Sequence, residues 1–141
     1  MRATARPRLK LLRAIPALPV SNLEASLAWY RDALHFTIGH QEGGFAIVKR
    51  DDVELHLWAA TDHRWRLAPP ADGASPVCSG AESFIAGTAS CRIGVDAVDE
   101  LYAELNDQIV HPNAALHDEP WAREFGVLDP DRNLVTFFQR R

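Results

Sequence analysis

Two stretches of the chain carry the same alternation of apolar and polar positions. Phe45-Ala46-Ile47-Val48 and Val53-Glu54-Leu55-His56-Leu57-Trp58 flank the polar Lys49-Arg50-Asp51-Asp52. Phe125 to Leu128 and Leu134 to Phe138 likewise flank Asp129-Pro130-Asp131-Arg132-Asn133. β-branched and aromatic runs on either side of turn residues predict two hairpins. Ahead of each hairpin the period changes to that of a helix. Leu23, Leu27, Tyr30 and Leu34 share one helical face, with Trp29 on a neighbouring one, and Ser21 or Asn22 is placed to cap. This predicts a helix from about Leu23 to Leu34. Val98, Leu101, Tyr102 and Leu105 repeat that face behind Asp96, the expected cap of a second helix. A strand is expected before each helix, in Leu12 to Val20 and in Thr88 to Val95. His35-Phe36-Thr37-Ile38 adds a short strand, and Gly43-Gly44 turns the chain into the first hairpin. Pro16 and Pro19 confine the first strand to a sheet edge or to a crossing point between two bodies.

The pattern is a repeat. Val20 and Val95, Leu23 and Val98, Glu24 and Asp99, and Leu27 and Tyr102 are each separated by 75 residues. Each half therefore reads strand, helix, three strands. A βαβββ module cannot bury both faces of so small a sheet alone, so two of them pair. The expected architecture is α+β, two βαβββ modules forming a cupped mixed sheet around a ligand cleft. The modules cover about residues 12–62 and 88–141 of a single domain, 12–141. A basic tail, 1–11, precedes the domain, and a linker loop, 63–87, joins the modules. The composition of Ala68-Pro69-Pro70-Ala71-Asp72-Gly73-Ala74-Ser75-Pro76 is that of a solvated connection. With Trp65 before it and Phe84 after it, a flap over a pocket is the second reading.

Composition narrows the function. The chain has 141 residues, 47% hydrophobic and 24% charged, the balance of an ordinary globular domain with one sizeable core. A net charge of −4 argues against nucleic acid as a partner and is compatible with a cationic ligand. Cys78 and Cys91 lack CxxC spacing, so neither a zinc site nor a disulfide framework is indicated. Arg2, Arg6, Arg8, Lys10 and Arg13 precede no long apolar run, so a basic tail is expected here rather than a secretory signal or a transit peptide. No stretch approaches the ~20 apolar residues that span a bilayer, and the cytoplasm is the expected compartment. The six histidines show no HxH or HxxxH spacing. Glu54 and His56, two apart on a strand, point to one face; they read as a dyad or, more commonly, as a solvated strand face. Ser79-Gly80-Ala81-Glu82-Ser83 lacks the GxSxG elbow, and Gly43-Gly44 is turn chemistry with no phosphate loop around it.

Val20-Ser21-Asn22-Leu23-Glu24-Ala25-Ser26-Leu27-Ala28-Trp29-Tyr30, followed by Leu34-His35-Phe36, resembles the opening signature of the vicinal oxygen chelate (glyoxalase-like) superfamily. Asp129-Pro130-Asp131-Arg132-Asn133-Leu134 resembles its closing signature. Within the superfamily the resemblance is nearest to the bleomycin resistance branch. It is carried by Ala14-Ile15-Pro16-Ala17-Leu18, by Phe45 to Val48 with Arg50-Asp51-Asp52-Val53, by Asp99 to Glu104, and by Glu119 to Phe125. It covers roughly Leu12 to Phe138, apart from the loop between Thr61 and Thr88. One departure is Arg132, where the family usually has Gly. A left-handed backbone would be less comfortable for Arg, whereas a type I turn would tolerate it.

The resemblance implies a metal-free drug-binding protein. Enzymes of the superfamily take one metal ligand from each of four strands, and the matching positions here are Ile15, Glu54 or His56, Ser90 and Thr136. One candidate of four makes no site for a divalent metal, which needs three or four converging side chains. No metal and no cofactor are therefore expected, and no enzymatic role. The implied ligand is a bleomycin-type glycopeptide, sequestered unaltered in a cleft at the interface of a strand-swapped homodimer. Its flat bithiazole rings call for aromatic faces and its cationic tail for acids. By resemblance Trp121 and Phe45 take stacking positions, His40 stands where a relative carries a second aromatic, and Trp58 and Arg123 lie nearby. Asp32, Asp118 and Glu119 are the acids expected near the tail. A core role for Phe45 and a rim role against the partner for Trp121 stay open. The competing functions are a metal-dependent enzyme of the same fold (a dioxygenase, isomerase or thiol transferase) and a binder of some other aromatic metabolite.

Overall fold

The computed structural model describes residues 8–60, 86–105 and 107–141. The first module runs β1 (Ala17–Val20), α1 (Leu23–Asp32), β2 (Thr37–Glu42), β3 (Phe45–Arg50) and β4 (Val53–Ala59). The second runs β5 (Ser90–Gly94), α2 (Val98–Glu104), β6 (His117–Asp118), β7 (Ala122–Leu128) and β8 (Leu134–Arg140), with a 3-10 turn at Asp107–Ile109. Each module forms a four-stranded sheet, in the orders β1-β4-β3-β2 and β5-β8-β7-β6. In both, the opening strand lies parallel to the closing one and all other neighbours are antiparallel. The α+β architecture of two βαβββ modules expected from the repeat is present, with helices that begin 75 residues apart at Leu23 and Val98. The expected linker with Trp65 and Phe84, and the Ser79 to Ser83 segment, lie outside the described residues.

Local chemistry accounts for the elements and for where they depart from expectation. The Asn22 side chain caps α1 by accepting a hydrogen bond from the Ala25 N–H at 3.0 Å. Leu23, Leu27, Tyr30 and Leu34 are all buried, as their spacing predicts. Asp96 does not cap α2. The cap position falls on Ala97, whose side chain makes no capping bond, and the Val98 N–H instead donates to the Gln139 side chain of β8 at 3.0 Å. A partner from the sheet has replaced the local one. β2 starts at Thr37, two residues after the expected position, because His35 takes a left-handed φ of 60°. Among the described residues β1 has β4 as its single neighbour, the edge position that Pro19 requires.

Period two divides each sheet into a helix-side face and an open one. Ala46 and Val48 of β3 and Leu55 and Leu57 of β4 are buried in the core with Leu18, Val20 and the α1 face. Phe125, Val127, Val135 and Phe137 do the same in the second module with Ile93, Val98 and Leu101. These residues form one continuous cluster across both modules.

The Asp129–Asn133 turn latches the modules together. Asn133 is fully buried; its amide donates to the Pro19 carbonyl at 2.8 Å and to Asp129 at 2.9 Å. Its side-chain oxygen accepts from the Gly87 and Ala89 N–H groups at 3.1 and 3.2 Å. Asp129 accepts from the Tyr30 hydroxyl at 3.0 Å and from the Asp131 and Asn133 N–H groups. Asp131 in turn accepts from the Ser21 N–H at 3.0 Å. Burial pushes the Tyr30 hydroxyl well above its ordinary pKa, and the facing Asp129 carboxylate adds to this. Burial also raises the Asp129 carboxyl, against the hydrogen bonds it accepts. Arg132 adopts φ 71°, so the left-handed alternative for this position is the one realised. Gly87, with φ 86°, packs so closely on the Asp131 carbonyl oxygen that a Cβ would overlap it.

Candidate functional site

The open face of the first sheet collects aromatic rings. Phe45 pairs with Trp58 across β3 and β4, and Ile47 pairs with His56. The Phe45 ring lies 4.5 Å from Trp58, 5.1 Å edge-on from His56 and 6.0 Å from His40 on β2. The Trp58 indole N–H is buried and has no hydrogen-bond partner among the described residues. Below the rings lies a charged group. His56 Nε2 is 2.6 Å from Glu54, which also faces Lys49 at 3.5 Å and Arg13 at 4.0 Å. The hydrogen bond to His56 holds the Glu54 carboxyl below the usual carboxylate range, against burial.

The second sheet has a corresponding open face. Glu124 pairs with Phe138 across β7 and β8, and Arg92 of β5 pairs with Thr136. Arg92 donates to Glu124 at 3.0 Å, and its guanidinium carbon lies 4.8 Å from the Trp121 ring centre and 5.1 Å from that of Phe138. Trp121 stands at the mouth of this face, 5.8 Å from Phe138 and 47% exposed. The tight turn that carries it is closed by hydrogen bonds between Glu119 and Ala122 in both directions.

The residues expected from sequence fall into separate groups. Phe45, His40 and Trp58 come together on the first open face, and Phe45 is outside the core. Trp121 belongs to the second. Arg123 lies on the helix side of its sheet, paired with Asp99 of α2 at 3.0 Å and with Asp118 at 3.2 Å. Asp118 is shared between Arg123 and Arg141, and Glu119 faces His117 at 3.3 Å. Asp32 sits in the helix layer beside Arg31 at 2.8 Å, across the sheet from the aromatic cluster. The sequence reading missed Arg92 and Phe138. Their alternation with Cys91, Ile93 and Phe137 carries the signal, since each is the outward neighbour of a core residue.

Residues 13–137 match the Glyoxalase/Bleomycin resistance protein/Dioxygenase superfamily. The chain is 51% identical over 132 residues to a bleomycin resistance protein of Geobacillus stearothermophilus, covering 92% of this chain and 98% of that relative. A bleomycin resistance protein of Staphylococcus aureus matches to the same degree. The chain belongs to this superfamily. Among solved structures it is similar to the bleomycin-binding protein of bleomycin-producing Streptomyces verticillus complexed with copper(II)-bleomycin. The TM-score is 0.67 at 26% identity, over 92% of this chain and 96% of that one.

The superfamily's name spans enzymes as well as drug binders, so fitness for a metal is a question for the donor set. Ile15, Ser90 and Thr136, at three of the four matching positions, present a hydrocarbon and two hydroxyls. Glu54 and His56, the candidates at the second position, are engaged with each other. No group of three or more His, Cys, Asp or Glu side chains suited to a metal occurs among the described residues. These residues do not fit a resident divalent ion. No helix among the described residues is long and apolar enough to cross a membrane.

Proposed function

We propose that this superfamily member confers resistance by binding bleomycin-type glycopeptides stoichiometrically, without a metal of its own, in a cytoplasmic homodimer. The observation that carries this reading is the exposed, supported indole of Trp121, held against Phe138 and Arg92 on one open face, with the Phe45–Trp58 pair on the other. Each face is half of a cleft, and a second copy of the chain supplies the opposing half. The segment before β1 supports such a pairing, since Leu9, Leu11 and Leu12 are 67%, 95% and 89% exposed. Clustered exposed apolar side chains mark an interaction surface, and exchange of an end segment is a low-cost route to a dimer.

Flat heteroaromatic rings fit between these faces. Each stacked pair contributes about 0.5–1.5 kcal/mol beyond burial, and a cation over a ring about 0.5–2 kcal/mol. Nanomolar affinity needs about 12 kcal/mol, so both faces must engage. The test is titration of metal-free bleomycin, with chelator present, into wild type and Trp121→Ala. A Trp at the cleft mouth contributes little to stability and much to binding. The expected result is an unchanged melting temperature and at least ~tenfold weaker binding in the variant. Unfolding of Trp121→Ala, or wild-type affinity, overturns the site.

The 2.6 Å contact between Glu54 and His56 beside the rings supports a second reading, proton-transfer chemistry on a bound ligand. Recovery of the drug with unchanged mass and an unchanged NMR spectrum after prolonged incubation rules it out. A new product establishes it.

A further inference from the structure

Trp121 is too exposed for packing alone to fix its ring, so its position depends on the Glu119–Ala122 turn beneath it. Beyond its own closing bonds, that turn is tied down by Arg141, the residue that follows β8. The Arg141 N–H donates to the Trp121 carbonyl at 3.1 Å. Its side chain donates to the Glu119 carbonyl at 3.1 Å and to the Asp118 carboxylate at 2.6 Å. Three bonds from Arg141 thus converge on residues 118, 119 and 121. Asp118 is anchored independently by Arg123, which is tied to Asp99 of α2. The clamp therefore runs from the second helix through Asp118 and Arg141 to the backbone of the indole-bearing residue.

We infer that Arg141 is a positioning residue for the Trp121 platform, fixing the turn so that the indole is presented ready to stack. The inference rests on the proposed binding function. Its physical content is preorganisation. A surface ion pair by itself contributes little to stability. A platform ordered before the ligand arrives, however, spares the ligand the cost of ordering it. Arg141 then influences affinity while leaving the fold almost untouched, and acts only through Trp121.

A double-mutant cycle with metal-free bleomycin as the probe tests this. Arg141→Ala is expected to weaken binding ~3- to 10-fold with a melting temperature within about 2 °C of wild type. Arg141→Lys, which can still reach Asp118 but lacks the guanidinium bond to Glu119, should fall between the two. In a Trp121→Ala background, Arg141→Ala should cause no further loss. Wild-type affinity in Arg141→Ala overturns the inference, and so does an equal loss in both backgrounds, which would place Arg141 on the drug itself. If Arg141→Ala fails to fold, Arg141→Lys carries the same cycle with the same required coupling. Wild-type binding by Trp121→Ala alone would sink the site reading; a weak Trp121→Ala with an uncoupled Arg141 sinks only the positioning role.

Discussion

Glu54 has cationic or ionisable partners on three sides, with His56 on its own strand, Lys49 across the hairpin and Arg13 from the segment before β1. The hydrogen bond to His56 is the largest influence on its carboxyl, and it outweighs the opposing effect of burial. A carboxyl depressed in the folded state stabilises that state above its unfolded pKa of about 4.3. The contribution is lost as pH falls through the lower, folded value. Glu54→Gln should accordingly melt below wild type at pH 7, and the gap should close under about pH 4. Thermal melts of both proteins from pH 7 to pH 2.5 provide the check. A gap that stays constant across that range means that charge plays no part. The same pair shows what spacing conveys at this scale: two positions apart on a strand puts Glu54 and His56 on one face, while the added contacts to Lys49 and Arg13 appear only in the fold.

Among the elements, the Asp129–Asn133 turn has the most demanding geometry. Asn133→Ala deletes four hydrogen bonds and leaves the Pro19 carbonyl, the Gly87 and Ala89 N–H groups and Asp129 without that partner. Each buried group left unsatisfied costs about 1–3 kcal/mol, so the variant should lose more than ~3 kcal/mol in urea unfolding. A loss under ~1 kcal/mol would mean that the latch is incidental. Sequence patterning finds this turn but not its purpose. Pro, Asp and Asn announce a local reversal through their own backbone preferences, while Pro19 lies 114 residues from Asn133 and leaves no local trace. The α2 cap fails to appear for the same reason, since Gln139 is 41 residues from the N–H that it satisfies. The helix faces and hairpins are legible because their determinants recur within one element, at Leu23, Leu27 and Tyr30 or at Leu55 and Leu57. Phe45 and Trp58 are likewise legible as one aromatic group, since both belong to one hairpin. Arg92 is not, because a charged residue on an edge strand looks the same whether it faces water or a stacked indole.

For the molecule as a whole, the proposed dimer assigns the state of association to the segment before β1. Leu18 and Val20 are buried in the core, so the arm can be trimmed only ahead of them. Removal of residues 1–12 should leave the fold intact and yield monomers with much weaker drug binding, read by sedimentation velocity and titration. A truncated protein that remains dimeric would place the interface elsewhere. The latch between the modules has a further consequence, for the order in which the chain acquires its structure. Tyr30 must wait for Asp129, 99 positions later, and Pro19 for Asn133, 114 positions later. Contacts so distant along the chain require a large loop to close before they return any stabilisation. During synthesis the first module therefore emerges with its Tyr30 hydroxyl and Pro19 carbonyl unsatisfied and its arm of leucines uncovered. It can complete the latch only after the second hairpin has left the ribosome, so the nascent chain passes through a stretch of synthesis with this apolar surface open to non-native contacts.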